Sequence, residues 1–343
     1  MTRARPELVE AARVLLDQMG ISVADLLQAT GVRPTVPTFV EYVPVVQAAV
    51  GPGSRKVYGT YWRKAVERWG DRRLDEVTPT DVETLMRQVQ DSALRRRNFR
   101  GGHSAAEHLI GALRCLYKRA VADGLISASE DPAQKVAKPH RPTSTRTALA
   151  DDRLAELVTM AGTSGNDPEL DSLIIRFHIE TACRRGGLLQ LRPVDLDKQQ
   201  CLVMLREKGE SFRWQPVSPT LMRFLQHHVD ERGVGERAPL LRYRDGKPVG
   251  RRRYDGLWAR LGGVLPWVAT QQVSAHWLRH TTLTWVERVY GYGVALAYAG
   301  HAESPNDAGT TARYVKASQQ EVATALSGLT GESHPLALPE LDT

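Results

Sequence analysis

Four separated pieces of the chain carry side chains suited to acid–base, nucleophilic or anion-binding chemistry. The first is Thr181-Ala182-Cys183-Arg184-Arg185-Gly186-Gly187-Leu188, an arginine pair between two apolar stretches. The second is Lys208, in the polar run Glu207-Lys208-Gly209-Glu210. The third is His276-Trp277-Leu278-Arg279-His280, followed by Gly300-His301, and the fourth is Thr311-Ala312-Arg313-Tyr314-Val315-Lys316. Taken singly, each has an ordinary alternative. Arg184 can be a helix-end salt-bridge partner, Lys208 a solvated turn lysine, and Tyr314 a core or surface tyrosine. His276 and His280 stand four apart and could pair on a metal. Against that, no Glu follows His276 as in HExxH, no third ligand presents itself, and Arg279 on the same turn would repel a cation.

The elements that must hold these residues are mostly helical. Apolar spacing predicts a helix over 6–19 and a shorter one over 23–29, before the Pro-broken run Arg33-Pro34-Thr35-Val36-Pro37. This opening pair could be an extra DNA-contacting arm or a packing element, and its lack of basic excess favours packing. From Thr38 to about Pro139 the pattern stays helical. Ser54 can cap a helix through Arg68, Thr80 with Glu83 can start another, and His103–Asp123 is a third that stops at Gly124. The stretch 135–147 is rich in Pro, Ser, Thr and basic residues and reads as an extended connector. Beyond it, helices are expected at 151–161, 169–180, 219–231, 251–261, 276–290, 294–299 and 319–329, with an apolar turn at 188–191. Cys201–Leu205 and Phe212–Val217 read as two strands of a hairpin whose turn carries Lys208. The Pro-interrupted end reads as a loose tail.

Charge is unevenly placed. Residues 51–150 hold 19 Lys/Arg against 11 Asp/Glu, whereas 151–343 hold 23 of each. A compact basic module suits a phosphate backbone, because each neutralised phosphate releases counterions. The alternative is a solvated basic helix face. The residues put forward for DNA contact are Arg55, Lys56, Arg95, Arg96, Arg97, Arg100, Lys138 and Arg141.

Order and spacing together resemble the tyrosine recombinase (phage integrase) family, over roughly residues 38–330. The family pattern is an Arg at a TGxR-like helix start, a hairpin Lys, HxxRH, a Gly-His or Gly-Trp, and a Tyr about a dozen residues on. The resemblance implies catalytic roles for Arg184, Lys208, His276, Arg279, His301 and Tyr314, with Tyr314 the nucleophile. Aligning Thr181-Ala182-Cys183-Arg184 on TGxR selects Arg184 over Arg185. Two departures stand out: the usual Gly is Ala182, and the usual acidic residue three after the arginine is Gly187. Some other group must then position the basic side chains, and Glu180 is the candidate. The resemblance further implies double-stranded DNA sites as partner, a tetramer on DNA with exchange of the C-terminal helix, accessory proteins, and no metal or cofactor.

The chemistry fits these residue types. Two guanidiniums match the charge gathering on the phosphate oxygens, a tyrosine hydroxyl can stay attached to phosphorus, and a flexible ammonium can protonate the leaving 5′-oxygen. The fold class expected is mainly α: a helical N-terminal core-binding domain plus an α-rich catalytic domain with a small β-hairpin. The boundaries are 1–34 for an N-terminal extension, 38–139 for the core-binding domain, 140–150 for a linker, 151–330 for the catalytic domain and 331–343 for the tail.

Composition narrows the field. At 343 residues, 42% hydrophobic and 25% charged, the chain is long enough for two packed cores and is not disordered overall. No apolar run reaches 18 residues and no secretory signal is evident, so a soluble cytoplasmic protein is expected. Cys115, Cys183 and Cys201 form neither a disulfide framework nor a CxxC pair. Rival readings are a type IB topoisomerase, a catalytically silent DNA-binding protein of the same fold, and a metal-dependent nuclease. The last is disfavoured by the lack of paired carboxylates near the histidines.

Overall fold

The computed structural model describes residues 6–19, 35–93, 102–139, 146–206, 212–300 and 317–339. The chain divides into two compact units, Met1–Thr143 and Ser144–Thr343. Among the described residues it is mainly helical, with one three-stranded antiparallel sheet.

In the first unit, α1 (Pro6–Gln18) precedes a bundle of α2 (Phe39–Ala49), α3 (Pro52–Trp69), α4 (Pro79–Asp91), α5 (His103–Ala122) and the short α6 (Pro132–Lys135). The predicted helix at 23–29 lies outside the described residues. Two helix starts differ from expectation. α3 begins at Gly51-Pro52, so Ser54 sits inside the first turn. α4 is capped by Thr78, whose hydroxyl accepts from the Asp81 amide while the Asp81 carboxylate accepts from the Thr78 amide. Proline explains both shifts, since its fixed φ and missing N–H suit the first helical position and leave the cap to the residue just before it. The bundle core is aromatic and aliphatic: Phe39, Trp62, Leu109, Leu113, Leu116 and Tyr117 are fully buried. Trp62 Nε1 donates to the Ala112 carbonyl and the Tyr117 hydroxyl to that of Leu74, so neither ring is buried with a polar atom unmet.

The second unit contains α7 (Asp151–Thr163), α8 (Pro168–Thr181), α9 (Arg185–Leu189), the sheet, α10 (Pro219–Glu231), α11 (Arg251–Val264), α12 (Pro266–Thr270), α13 (Ala275–Ala299) and α14 (Gln319–Thr330). The sheet runs β1 (Leu196–Asp197), β2 (Leu202–Arg206), β3 (Phe212–Pro216), with Met204 opposite Trp214 and Arg206 opposite Phe212. The apolar turn expected at 188–191 is instead the end of the short helix α9. α13 spans both helices expected around Tyr290, bent at Gly291, whose φ of 84° only glycine adopts cheaply. α8 is buried on most sides, packing Ile174, Ile175 and Phe177 into the main core. The C-terminal segment read as loose is held down as far as it is described. Glu332 accepts from the Thr220 amide and pairs with Arg176, and the His334 ring bonds the Cys201 carbonyl. A helix N-terminus offers unpaired amides to any nearby carboxylate, and Glu332 supplies one.

Candidate functional site

The site is built at the C-terminal ends of α8 and α13. α8 stops because Ala182 turns left-handed (φ 48°), a conformation that explains why glycine is the common choice there. The chain then runs extended through Arg184, which caps α9.

The carbonyls left over at the end of α8 are met one after another by distant side chains. Thr282 Oγ1 donates to Ile179 O at 2.7 Å, the Tyr298 hydroxyl to Glu180 O, Arg213 Nη2 to Thr181 O at 3.4 Å, and Arg279 Nη1 to Ala182 O at 2.5 Å. Arg279 also gives Nη2 to Ala299 O at 2.8 Å, the last residue of α13. The buried Arg279, 4% exposed as a residue, therefore spans two helix C-termini with its guanidinium, where the backbone dipoles favour a cation.

His178 secures the approach to Arg184 from behind. It is fully buried, and because a carbonyl can only accept, Nδ1 carries the proton and donates to Cys183 O at 3.2 Å. Nε2 then accepts from the Tyr254 hydroxyl at 2.9 Å. Burial, and then the nearby charge of Arg185, hold the His178 pKa down at about 4, opposed by the bond to Cys183.

Arg184 is exposed, and its charge acts on His276. Arg185 instead lies with its guanidinium 5.9 Å from the Tyr254 ring centroid. His276 stands edge-on to His280, with ring centroids 4.9 Å apart. The imidazole keeps an exposed edge, yet desolvation, followed by the charges of Arg146, His280, Arg279 and Arg184, lowers its pKa to about 4. That downward shift favours the neutral imidazole over the imidazolium near neutral pH. His280 is shifted down by burial and by Arg146 and Arg279.

The structure thus brings Arg184, His276 and Arg279 together. Lys208, His301 and Tyr314 lie outside the described residues, as do Arg95, Arg96, Arg97, Arg100 and Arg141. Of the remaining candidates in the first unit, Arg55 is exposed and ties α2 to α3 through the Ala48 and Val50 carbonyls, while Lys56 and Lys138 are exposed.

One expectation is corrected. The Glu180 carboxylate does not reach toward the basic cluster; it accepts from Arg176 Nε at 2.6 Å and from the Ser218 amide at 2.8 Å and hydroxyl at 3.0 Å. Its place on the buried side of α8 directs it at the α10 cap. Arg279 is held instead through the backbone carbonyls of Ala182 and Ala299. Sequence reasoning did not bring out Arg146 or Arg213, nor the bond of the Tyr298 hydroxyl to the end of α8. Arg146 sat in a basic connector and Tyr298 in a tyrosine-rich helix, with no local signal to separate them from their neighbours. Among the described residues, no group of three or more His, Cys, Asp or Glu could hold a metal ion, and no helix is long and apolar enough to cross a membrane.

Comparison with known proteins adds to this geometry. The family model described as the phage integrase family matches residues 147–321. No curated protein matches the sequence. Among solved structures, a lambda integrase dimer bound to a COC′ core site aligns at TM-score 0.61 and 14% identity, over 91% of this chain and 87% of that one. A lambda integrase tetramer bound to a Holliday junction aligns at 0.59 and 14%, over 90% and 91%. A fragment of the Tn1549 transposon integrase in complex with transposon right end DNA aligns at 0.59 and 14%, over 86% and 100%.

Proposed function

The chain belongs to the phage integrase family and is a site-specific tyrosine recombinase, and on that premise we propose how its residues divide the chemistry. Tyr314 attacks the scissile phosphate, giving a 3′-phosphotyrosyl link and a free 5′-hydroxyl. That hydroxyl on a partner strand then reverses the attack and joins the exchanged strands. Arg184 and Arg279 stabilise the charge that gathers on the non-bridging oxygens, with His301 adding a hydrogen bond. Lys208 protonates the leaving oxygen, and neutral His276 takes or orients the tyrosine proton. The observation that carries this reading is the convergence of Arg184, His276 and Arg279, three residues of the family pattern, on one basic site shared with Arg146.

The basic first unit, with Arg55, Lys56 and Lys138 on its exposed surface, supplies backbone contacts that hold the DNA. The assembly proposed is a tetramer on two DNA sites, passing through a Holliday junction. α14 follows Tyr314 by a few residues and packs in the single chain on its own α13, through Val286, Ala295, Tyr298, Val322 and Leu326. On DNA the same apolar face would dock on a neighbouring protomer, as intramolecular packing gives way to a partner held at high effective concentration. A topoisomerase-like or silent DNA-binding role is not favoured.

The test is incubation with nicked or supercoiled DNA in EDTA, followed by a denaturing gel. A covalent protein–DNA band that disappears in Tyr314→Phe is the expected result. A band that persists in the variant would move the nucleophile elsewhere, and a two-site assay distinguishes recombination from relaxation.

A further inference from the structure

We propose that Arg213 is a positioning residue for strand cleavage, which clasps the end of α8 to the end of α13 and couples both to the hairpin. The inference rests on the recombinase reading above and adds a residue to it.

Arg213 lies on β3, five residues past Lys208. Its guanidinium donates through Nη2 to Thr181 O, one residue before the carbonyl that Arg279 takes. Nη1 donates to the side-chain oxygen of Gln215, which is fully buried and so holds the fork in place. The side chain then passes directly against the backbone of Gly300. A Cβ at Gly300 would overlap Nε and Cδ of Arg213, and Gly300 sits at φ 63°, so the position has two reasons to be glycine. Tyr298, two residues earlier, feels the Arg213 charge directly.

Two arginines therefore join the same pair of helix ends. Arg279 bonds Ala182 O and Ala299 O, while Arg213 bonds Thr181 O and lies on Gly300. The residues next along the chain are the ones that do chemistry: Arg184 two beyond Ala182, and His301 directly after Gly300. With Arg213 on β3, one guanidinium ties both helix ends to the sheet. Phosphoryl transfer depends on such placement, and an error of about 1 Å can cost about 100-fold in rate.

The experiment measures single-turnover covalent attachment to a nicked site at saturating protein, beside DNA affinity and thermal unfolding. Arg213→Gln is expected to slow attachment by about 10- to 100-fold with DNA affinity nearly unchanged. Arg213→Lys, which keeps the charge but not the fork, is expected to recover part of the rate. Gly300→Ala should reproduce the defect by displacing Arg213, and the double variant should be no slower than the worse single one. An attachment rate close to wild type in Arg213→Gln would overturn the role. So would a loss of rate that tracks loss of folded protein and vanishes at lower temperature, because that marks a purely structural arginine. Absence of any adduct with wild type would overturn the recombinase reading itself, a result separable from the others.

Discussion

Arg184 and Arg185 are adjacent in the chain but face different partners. Arg184 is exposed beside His276, whereas the Arg185 guanidinium stacks toward Tyr254 on the His178 side. Of the two, Arg184 is the one proposed to meet substrate. Arg184→Ala is expected to cost about 3–4 kcal/mol of transition-state stabilisation, read as a loss of covalent complex in single turnover. Arg185→Ala should cleave at near the wild-type rate, and the reverse ranking would reassign the pair.

Tyr314→Phe removes one oxygen and no charge. It should bind DNA as wild type does in a mobility-shift assay while forming no covalent complex. Adduct mapped by mass spectrometry to Tyr290, Tyr292 or Tyr298 would refute the assignment.

The histidines set a pH dependence. His178, His228 and His276 are each held near a pKa of about 4, chiefly by burial, against 6.5 in the unfolded chain. The unfolded chain binds these protons more readily, so their contribution to stability is whole above pH 6.5 and is lost as pH falls towards 4. The urea midpoint should fall over that window; an unchanged midpoint from pH 7 to 4.5 would contradict it. By NMR, the His276 ring should titrate near 4 rather than 6.5.

Tyr298→Phe leaves the Glu180 carbonyl without its hydroxyl donor in a fully buried site. An unmet buried acceptor costs about 1–3 kcal/mol. Chemical denaturation should show that loss, and a change under about 0.5 kcal/mol, the scale of a surface substitution, would mean the bond contributes nothing.

Glu332 closes the C-terminal segment onto the N-terminus of α10 and onto Arg176. Glu332→Ala is expected to destabilise the second unit by about 1 kcal/mol, the usual scale for a lost helix cap. Protease sensitivity after residue 331 should rise in parallel, and resistance equal to wild type would show that the segment is held by its other contacts.

Much of this molecule can be read locally. Helix positions follow from apolar spacing and from the Pro, Gly and Thr residues at their ends. α10 falls at 219–231 as expected, and α5 stops before Gly124 at φ 72°. The ordered set from Arg184 to Tyr314 is equally a property of the chain, since a family pattern is made of residue types and spacings. The caps fall at Gly51 and Thr78 rather than at Ser54 and Thr80 because Pro52 and Pro79 take the first helical positions.

By itself, then, the sequence determined the helices, the hairpin, the basic first unit and the ordered family pattern of residue types from Arg184 to Tyr314. These are matters of short-range periodicity, capping and composition. The tertiary structure alone decided which of two neighbouring arginines faces His276, where the Glu180 carboxylate goes, and that Arg213 and Tyr298 meet the carbonyls at the end of α8. Those outcomes depend on carbonyls at the end of α8 meeting donors 32 to 118 residues away. No local pattern encodes such a meeting. It arises when α8, the sheet and α13 pack into one core and leave each buried polar group only the partners that packing brings within reach.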